Sequence, residues 1–326
     1  MLLSIVFSFR NEEENIPELA RRVDAALRSL PDVEHEMIFV DDASTDGSLA
    51  LLQELRARHP ITIVRMSRQF GNTPCVLAGM AQARGDAVVY MDADLQDPPE
   101  LIPELVEKYR AGVEVVHTVR THRDGEGWLK LRLTSLGYRI IRLFSDLDLH
   151  DNAGDFKLLS RRALRTLLSL QEQDPYMRGL SAWIGFRQAF VSYRRQPRHA
   201  GRSHFTLFSK AHARELVRGV TTFSAAPLYL SLYLGLATCL VSLVLMFYAI
   251  ATKLSGSATP GAPGILIAVA FFNGVILLTN GVIGLYVARI YNEVKGRPRY
   301  IVSEIIPAEP SAAGAAQAPP PTPPGS

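Results

Sequence analysis

The sequence predicts an α/β domain with a mostly parallel sheet and helices on both faces, followed by two C-terminal transmembrane helices. Between residues 2 and 119, short β-forming segments alternate with helical ones, a pattern typical of βαβ units. Two uncharged stretches, Gly219–Thr252 and Leu254–Ala288, each exceed the roughly 20 apolar residues that cross a bilayer.

The first strand is predicted at residues 2–9, where the β-forming opening MLLSIVFSF lacks the basic start of a signal peptide. Asn11 is predicted to cap the next helix, which continues through Pro17 to Ser29. The alternation then predicts strands at 35–40, 61–66, 86–91 and 113–119, and helices at 48–58, 72–84, 100–110 and 161–170. The carboxyl ends of parallel strands meet at one edge of the sheet, which is where α/β domains bind ligands.

The domain organisation follows from the composition of each segment. The α/β domain is predicted at 1–203. The segment 204–222 has the loose helical spacing of an amphipathic helix in the membrane interface, with a plain surface helix as the alternative. The remaining segments are transmembrane helices at 225–252 and 264–289, a C-terminal segment at 290–306 and a Pro/Ala-rich disordered tail at 307–326.

The placement of charged residues predicts the orientation in the membrane. Basic residues flank both spans, whereas the loop between the spans contains only Lys253, so both ends of the helix pair are expected to be cytoplasmic. Cys75 and Cys239 cannot form a disulfide framework, which fits a reducing compartment. The formal net charge of +3, without a basic stripe among aromatic residues, argues against nucleic acid as a partner.

The stretch YMDADLQDPPE collects carboxylates where an apolar strand ends. Asp92 and Asp94 are two residues apart, so in an extended segment both point to the same side and can approach one divalent cation. Mg²⁺ and similar hard ions commonly share one or two carboxylates with substrate phosphates, and Gln96 continues the same spacing. Asp97, which precedes a proline, could instead be a turn or cap residue. The chain has no G-x-G-x-x-G, P-loop or H-E-x-x-H motif, which disfavours dinucleotide, NTPase and zincin chemistry.

Six motifs occur in the order SFRNEEENI, FVDDASTDGS, SRQFGN, MDADLQDPPE, NAGDFKLLSRR and AGRSHF. With them the chain resembles the polyprenyl-phosphate glycosyltransferases, which are inverting family 2 enzymes with a Rossmann-like GT-A fold. The family includes dolichyl-phosphate mannose synthase and bacterial undecaprenyl-phosphate glucosyltransferases. The resemblance covers roughly residues 3–295, including the paired spans, and is far more specific for the superfamily than for the sugar.

The resemblance implies a role for each matching position. The implied partners are a nucleotide-sugar, with UDP-glucose as the predicted donor, and undecaprenyl phosphate in the inner (cytoplasmic) membrane, with the catalytic domain facing the cytoplasm. The implied cofactor is Mg²⁺ or Mn²⁺, and a homo-oligomer is compatible with the family. The implied site residues are Ser8, Glu12, Asp42 and Asp92 for the nucleotide-sugar, Asp92, Asp94 and Gln96 for the metal, Asp155 as catalytic base, and Arg120, Lys130, Arg132, Arg198, Arg202 and Ser203 for the acceptor phosphate.

Two departures from the family pattern put details in doubt. Ser8-Phe9-Arg10 replaces the usual Pro-x-Tyr, which removes an aromatic residue expected to stack on the base. His204 replaces the lysine of Gly-x-Ser-Lys-aromatic, so a fixed positive charge there would have to come from Arg202.

Other interpretations remain open at the sequence level. Asp41 could order its loop, Lys130 and Arg132 could solvate a helix face or meet anionic lipid, and Asp155 could align groups rather than accept a proton. A processive polysaccharide synthase would share Asp-x-Asp, but its Gln-x-x-Arg-Trp motif is absent from the sequence. A non-catalytic membrane scaffold would be expected to have lost its acidic residues.

Overall fold

The computed structural model describes residues 1–122, 153–196, 226–255 and 261–309. These residues form two compact units. The first contains the N-terminal α/β part of the chain together with residues from Pro298 onward, and the second contains the two long apolar helices.

The first unit is built on an eight-stranded sheet with the order β7-β5-β6-β4-β1-β2-β3-β8. Strands β1, β2, β3 and β4 are parallel neighbours, as are β5 and β7, whereas β6 and β8 run antiparallel to their neighbours. The strands are β1 (Leu2–Phe9), β2 (Glu34–Asp41), β3 (Ile61–Met66), β4 (Ala87–Asp92), β5 (Val115–His122), β6 (Ala153–Ser160), β7 (Gln188–Arg194) and β8 (Val302–Ile306).

Helices connect the strands, and a 3₁₀ turn at Pro99–Leu101 precedes the fourth helix. Side chains of Phe7 and Phe39 on β1 and β2 stack with ring centroids 4.6 Å apart in the core of the unit. The helices of the first unit are α1 (Ile16–Leu27), α2 (Ser48–Leu55), α3 (Asn72–Gln82), α4 (Ile102–Arg110), α5 (Arg161–Ser169) and α6 (Met177–Trp183).

The predicted elements of the N-terminal half agree with the structure to within a few residues, except at the start of α1. That helix begins at Ile16 after Asn15, and Asn11 does not cap it. Asn11 instead has a positive φ of 56°, and its side-chain oxygen accepts a hydrogen bond from Thr45 N at 2.8 Å. Asn11 therefore ties the loop after β1 to the loop after β2, which corrects the predicted cap.

The C-terminal segment has more structure than the sequence analysis predicted. Strand β8 pairs antiparallel with β3, and Ser67 N donates to Ile301 O at 2.9 Å. Beyond the strand, Arg56 donates to Pro307 O at 2.6 Å and Ala308 N donates to Thr62 Oγ1 at 3.3 Å. The α/β unit thus includes residues after the apolar helices, which corrects its predicted limit at 203 and the predicted disorder at 307–309.

The second unit contains α7 (Ala226–Leu254) and α8 (Ala262–Val294). Pro227–Leu254 and Phe271–Val294 are long and apolar enough to cross a membrane, and many of their large side chains are exposed, such as Tyr233 and Leu277. The helices begin and end close to the predicted spans at 225–252 and 264–289. The predicted interfacial helix at 204–222 lies outside the described residues.

Candidate active site

One edge of the sheet brings several of the predicted site residues together. Ser8 of β1 pairs with Asp92 of β4 at the carboxyl ends of these parallel strands. Strand β6 runs antiparallel to β4, with Tyr90 opposite Lys157. Asp155 lies two residues before Lys157 on β6, at the same edge as Asp92 and close enough to influence its pKa. The structure therefore brings together two carboxylates that are 63 positions apart in the sequence.

Residues 92–97, here called the acidic loop, begin at the last residue of β4. Gln96 N donates to Asp94 Oδ1 at 3.1 Å, and Gln96 O accepts from Gln196 N at 3.0 Å. Leu95 is buried and has a positive φ of 60°, a conformation that a non-glycine residue adopts only where its surroundings hold it. The backbone of the acidic loop is thus held by a bond within the loop and by one to the segment after β7.

Several carboxylates lie close to Asp92 at this edge of the sheet. Burial raises the pKa of Asp92 to about 8, and the nearby charges of Asp94, Asp155 and Asp97 add to the effect, whereas Arg120 opposes it. A carboxyl group with neighbours of the same sign resists ionisation unless a positive charge joins it. The acidic loop is therefore suited to a bound cation.

The residues of the acidic loop fit a divalent cation that is held jointly by the protein and a substrate. Within residues 1–122, 153–196, 226–255 and 261–309, no group of three or more His, Cys, Asp or Glu side chains could hold a metal ion alone. Mg²⁺ is commonly held by only one or two carboxylates together with substrate phosphates. Asp92 and Asp94 provide such a partial set.

Asn72 connects the predicted nucleotide residues to the acidic loop. Its side-chain nitrogen donates to Asp92 Oδ1 at 3.2 Å, and its side-chain oxygen accepts from the Ser8 hydroxyl. Asp42 holds the loop that comes directly before Asn72, because its two oxygens accept from Phe70 N at 2.6 Å and Gly71 N at 3.0 Å. Asn72 is the last residue of the motif SRQFGN, but its contact with Asp92 could not be predicted from the sequence.

Glu12 and Asp41 are buried and support the neighbouring loops. Glu12 accepts from Asn15 Nδ2 at 2.5 Å, and its backbone N donates to Ser48 Oγ at 3.0 Å. Asp41 Oδ1 accepts from Ser44 N at 2.8 Å, which is the loop-ordering contact that the sequence analysis had considered. The nucleotide roles of Ser8, Glu12 and Asp42 stay predictions.

Asp155 forms a bidentate ion pair with Arg178, a residue that the sequence analysis missed. Arg178 Nε donates to Oδ1 at 2.9 Å and Nη2 donates to Oδ2 at 2.5 Å. Burial alone would raise the pKa of Asp155, but Arg178, with smaller contributions from Lys157 and Arg120, holds it below its usual range. Asp155 is therefore a stable carboxylate and a weak base.

A second polar contact joins strand β6 and helix α6, which carry Asp155 and Arg178. Lys157, two residues after Asp155 on β6, donates to Ser181 Oγ at 2.9 Å, and Ser181 lies three residues after Arg178. Burial lowers the pKa of Lys157 to about 8, although Asp155 raises it in part. Helix α6 is thus attached to β6 by two parallel polar contacts, which fix the direction of the Asp155 carboxylate.

Arg120 belongs to a buried cluster with Asp97 and Tyr193, here called the brace. The Tyr193 hydroxyl donates to Asp97 Oδ1 and accepts from Arg120 Nε at 3.0 Å, and Arg120 Nη2 lies 3.6 Å from Asp97 Oδ1. Burial raises the pKa of Tyr193, and Asp97 adds to the increase, so the hydroxyl remains a donor. Asp97 is thus part of a polar cluster, and the guanidinium of Arg120 already has partners within the protein.

The other predicted acceptor residues, Lys130, Arg132, Arg198, Arg202 and Ser203, lie outside the described residues. Their roles stay predictions.

Comparisons with known proteins identify the family of the chain. Residues 4–168 match the family model described as glycosyl transferase family 2. An uncharacterized glycosyltransferase of Bacillus subtilis is 39% identical, over 92% of this chain and 93% of its own length. An uncharacterized glycosyltransferase of Synechocystis is 38% identical, over 93% of this chain and 95% of its own length.

A third relative, from Shigella flexneri, is named as a prophage-derived bactoprenol glucosyl transferase. It is 35% identical, over 93% of this chain and 98% of its own length. The family match covers strands β1 to β6, including the acidic loop and Asp155, and the relatives cover nearly the whole chain. The chain, with the GT-A fold that the motifs implied, therefore belongs to glycosyltransferase family 2.

Proposed function

We propose that this chain transfers one sugar from a nucleotide-sugar to a membrane polyprenyl phosphate. The observation that carries the proposal is that Asp155 lies close to Asp92 and the acidic loop at one edge of the sheet, in a family 2 chain with two apolar helices. The full-length similarity to a bactoprenol glucosyl transferase supports a polyprenyl acceptor. UDP-glucose is the proposed donor, and cell-envelope glycosylation is the proposed context.

The donor diphosphate is proposed to bind at the acidic loop. Asp92 and Asp94, with Gln96, would hold Mg²⁺ or Mn²⁺ there, and the bound ion would neutralise charge on the leaving nucleotide diphosphate. Asn72 donates to Asp92 and accepts from Ser8 of β1, and Asp42 accepts from Gly71 N directly before Asn72. The nucleotide would lie along the carboxyl ends of β1 and β2, beside Ser8 and Glu12.

Asp155 is proposed to align the reacting groups rather than to remove a proton. Both of its oxygens are engaged by Arg178, and its lowered pKa makes it a poor base. A phosphate monoester has a second pKa of about 6, so the acceptor is largely dianionic near neutral pH and needs little help from a base. Cationic residues that bring this dianion to a carboxylate-rich edge are then essential, and Arg198 and Arg202 are the proposed candidates.

The two apolar helices are proposed to anchor the enzyme in the inner membrane as a hairpin. The sheet contains strands from before α7 and from after α8, so the chain returns to the same unit after the helix pair. Two crossings satisfy this requirement because they bring the chain back to its starting side. The basic residues that follow α8, including Lys295 and Arg297, favour the cytoplasm for that side. A homo-oligomer stays a prediction.

The experiment that tests the proposed function is a transfer assay with the purified full-length protein in detergent. A panel of nucleotide-sugars would be incubated with undecaprenyl phosphate and Mg²⁺ or Mn²⁺. We expect one lipid-linked monosaccharide, loss of turnover in excess EDTA and loss of turnover in Asp94→Asn. Asp32→Asn, which removes a surface ion pair with Arg110, is the matched control and should keep activity.

Three outcomes would contradict the proposal. Full activity in EDTA would exclude the metal role of the acidic loop. A polymeric product would favour a processive synthase. Neither transfer nor donor hydrolysis with any nucleotide-sugar would favour a scaffold.

A further inference from the structure

The acidic loop has attachments to strands on the far side of Asp155 that the proposed chemistry does not use. Tyr193 and Arg120 face each other across the parallel pair β7 and β5 and reach Asp97 together. Three residues after Tyr193, just beyond the end of β7, Gln196 N donates to Gln96 O at 3.0 Å. The acidic loop is therefore attached to the end of β7 through both a side chain and the main chain.

These attachments are buried or closely packed. The Asp97 side chain is 1% exposed and that of Arg120 is 12% exposed, so the contacts between them exclude most water. Burial raises the pKa of Asp97, while Arg120 and the Tyr193 hydroxyl lower it. A buried carboxylate of this kind depends on its hydrogen bonds, because an unpaired charge in the interior is strongly unfavourable.

The fold leaves space for the brace at one glycine of the motif NAGDF. A Cβ atom at Gly154 would lie 3.3 Å from the Tyr193 hydroxyl, 3.6 Å from Arg120 Nε and 3.0 Å from Thr118 Oγ1. A side chain at this position would be crowded against Thr118 Oγ1 and the Tyr193 hydroxyl and would lie in ordinary contact with Arg120. Gly154 precedes Asp155 directly, so the same short segment of β6 accommodates the brace and presents the proposed aligning carboxylate.

The acidic loop also requires support. Leu95, which lies between Asp94 and Gln96, holds a positive φ of 60°, a conformation that a non-glycine residue keeps only where its surroundings hold it. A loop with these properties would relax outward if its attachments were removed, and the proposed metal ligands would separate.

We propose that the brace is a positioning device for the metal and diphosphate site, with Tyr193 as its central residue. It holds Asp94 and Gln96 in the arrangement that the cation and the donor diphosphate require. This inference rests on the proposed function, because it assumes that the acidic loop binds a cation with the donor. Arg120 then acts through Asp97, whereas the sequence analysis had predicted direct contact with the lipid phosphate.

The test measures binding rather than turnover. Free Mn²⁺ would be followed by electron paramagnetic resonance in the detergent-purified full-length protein, with UDP present. Tyr193→Phe removes the hydroxyl and keeps the ring, and we expect it to weaken Mn²⁺ binding about ten-fold, as for the loss of one charge-assisted hydrogen bond. The KM for the nucleotide-sugar should rise in parallel, and the KM for undecaprenyl phosphate should not change.

Tyr109→Phe is the matched control, because the Tyr109 hydroxyl contacts Asp86 O at 3.4 Å, away from the acidic loop. It should bind Mn²⁺ like the wild type. Asp97→Asn provides a second variant if Tyr193→Phe lowers the melting temperature, since it keeps the size of the side chain and removes its charge. It should weaken Mn²⁺ binding as well.

The outcomes separate the brace from the proposed function. Normal Mn²⁺ binding in both brace variants, together with lost binding in Asp94→Asn, would overturn the brace alone. Normal binding in Asp94→Asn would overturn the metal role and the brace with it. A rise only in the KM for undecaprenyl phosphate in Tyr193→Phe would overturn the brace and return Arg120 to the acceptor site.

Discussion

The ion pair between Arg178 and Asp155 offers a decisive test of what Asp155 does. Replacing Arg178 with Gln removes two charge-assisted contacts, at 2.9 and 2.5 Å, from a carboxylate whose side chain is only 20% exposed. Each such contact contributes about 1.5–3 kcal/mol, and removing one partner of a buried pair costs about 3–5 kcal/mol. Since both side chains retain some exposure, we expect about 3 kcal/mol. If this energy is lost from the alignment of the reacting groups, the activation free energy rises by the same amount. We then expect kcat to fall roughly 100-fold, at about 1.4 kcal/mol per decade.

The pH dependence follows from the direction of the pKa shift. The pKa of Asp155 in the folded protein lies below its unfolded value of about 3.9. Its contribution to stability is therefore fully present above about pH 4 and is lost as the pH falls through the lowered folded pKa. In Arg178→Gln, burial is no longer opposed by the guanidinium, so the pKa of Asp155 should rise and kcat should fall toward acidic pH.

The assay is kcat at saturating donor and acceptor between pH 5.5 and 9 for the wild type, Arg178→Gln and Asp155→Asn. We expect the loss in Asp155→Asn to be the same at every pH, because an aligning carboxylate is ionised throughout. A base would give a loss that shrinks as the acceptor phosphate deprotonates above about pH 6. Arg162→Gln is the control, since Arg162 forms an exposed pair with Glu114 at 3.7 Å and lies over the Phe186 ring.

Wild-type kcat and an unchanged pH profile in Arg178→Gln would refute the reasoning. A loss in Asp155→Asn that disappears above pH 7 would identify Asp155 as the base.

Three further predictions concern other parts of the chain. In a variant without native cysteines, a cysteine at Ser257 should react with an impermeant thiol reagent added to intact cells and one at Ser311 should not; the reverse pattern would invert the topology. Ending the chain after Lys295 should remove β8 and lower the melting temperature by roughly 5 °C or more, whereas ending it after Glu309 should not; equal melting temperatures would show that β8 adds no stability. Arg202→Ala should raise the KM for undecaprenyl phosphate about 10- to 150-fold, as expected for a charge-assisted bond to phosphate; a change confined to the KM for the nucleotide-sugar would move Arg202 to the donor site.

The sequence was sufficient for the parallel part of the sheet. Strands β1 to β4 contain short runs rich in apolar, β-forming residues that alternate with helical segments, and this pattern predicts buried parallel strands. The same reasoning located Asp41 and Asp92 at strand ends. It failed for β6, because residues 153–160 follow a segment without clear periodicity and no local signal indicates an antiparallel strand.

The partners of the site residues were beyond the reach of the sequence. Arg178 lies on a seven-residue helix, and its contact with Asp155 depends on how α6 docks on β6. Tyr193 lies in the alternating segment QAFVSYR, which has the period of a strand but does not reveal that β7 pairs with β5. Side-chain contacts across a sheet depend on strand order, and strand order here departs from chain order at β4, β6 and β8.

Strand β6 runs antiparallel to β4 and brings Asp155 into the group of carboxylates around Asp92. Around Asp92 the protein places the carboxylates of Asp94, Asp97 and Asp155. Arg120, Lys157 and Arg178 oppose them from β5, β6 and α6. Because these three cations already lower the pKa of Asp155, little positive charge remains for a diphosphate or for a dianionic acceptor. A divalent cation at Asp92 and Asp94, and arginines beyond the described cluster, would be needed before both substrates could meet. Full turnover after substitution of Asp155 by a neutral residue would contradict a need for its charge at this edge of the sheet.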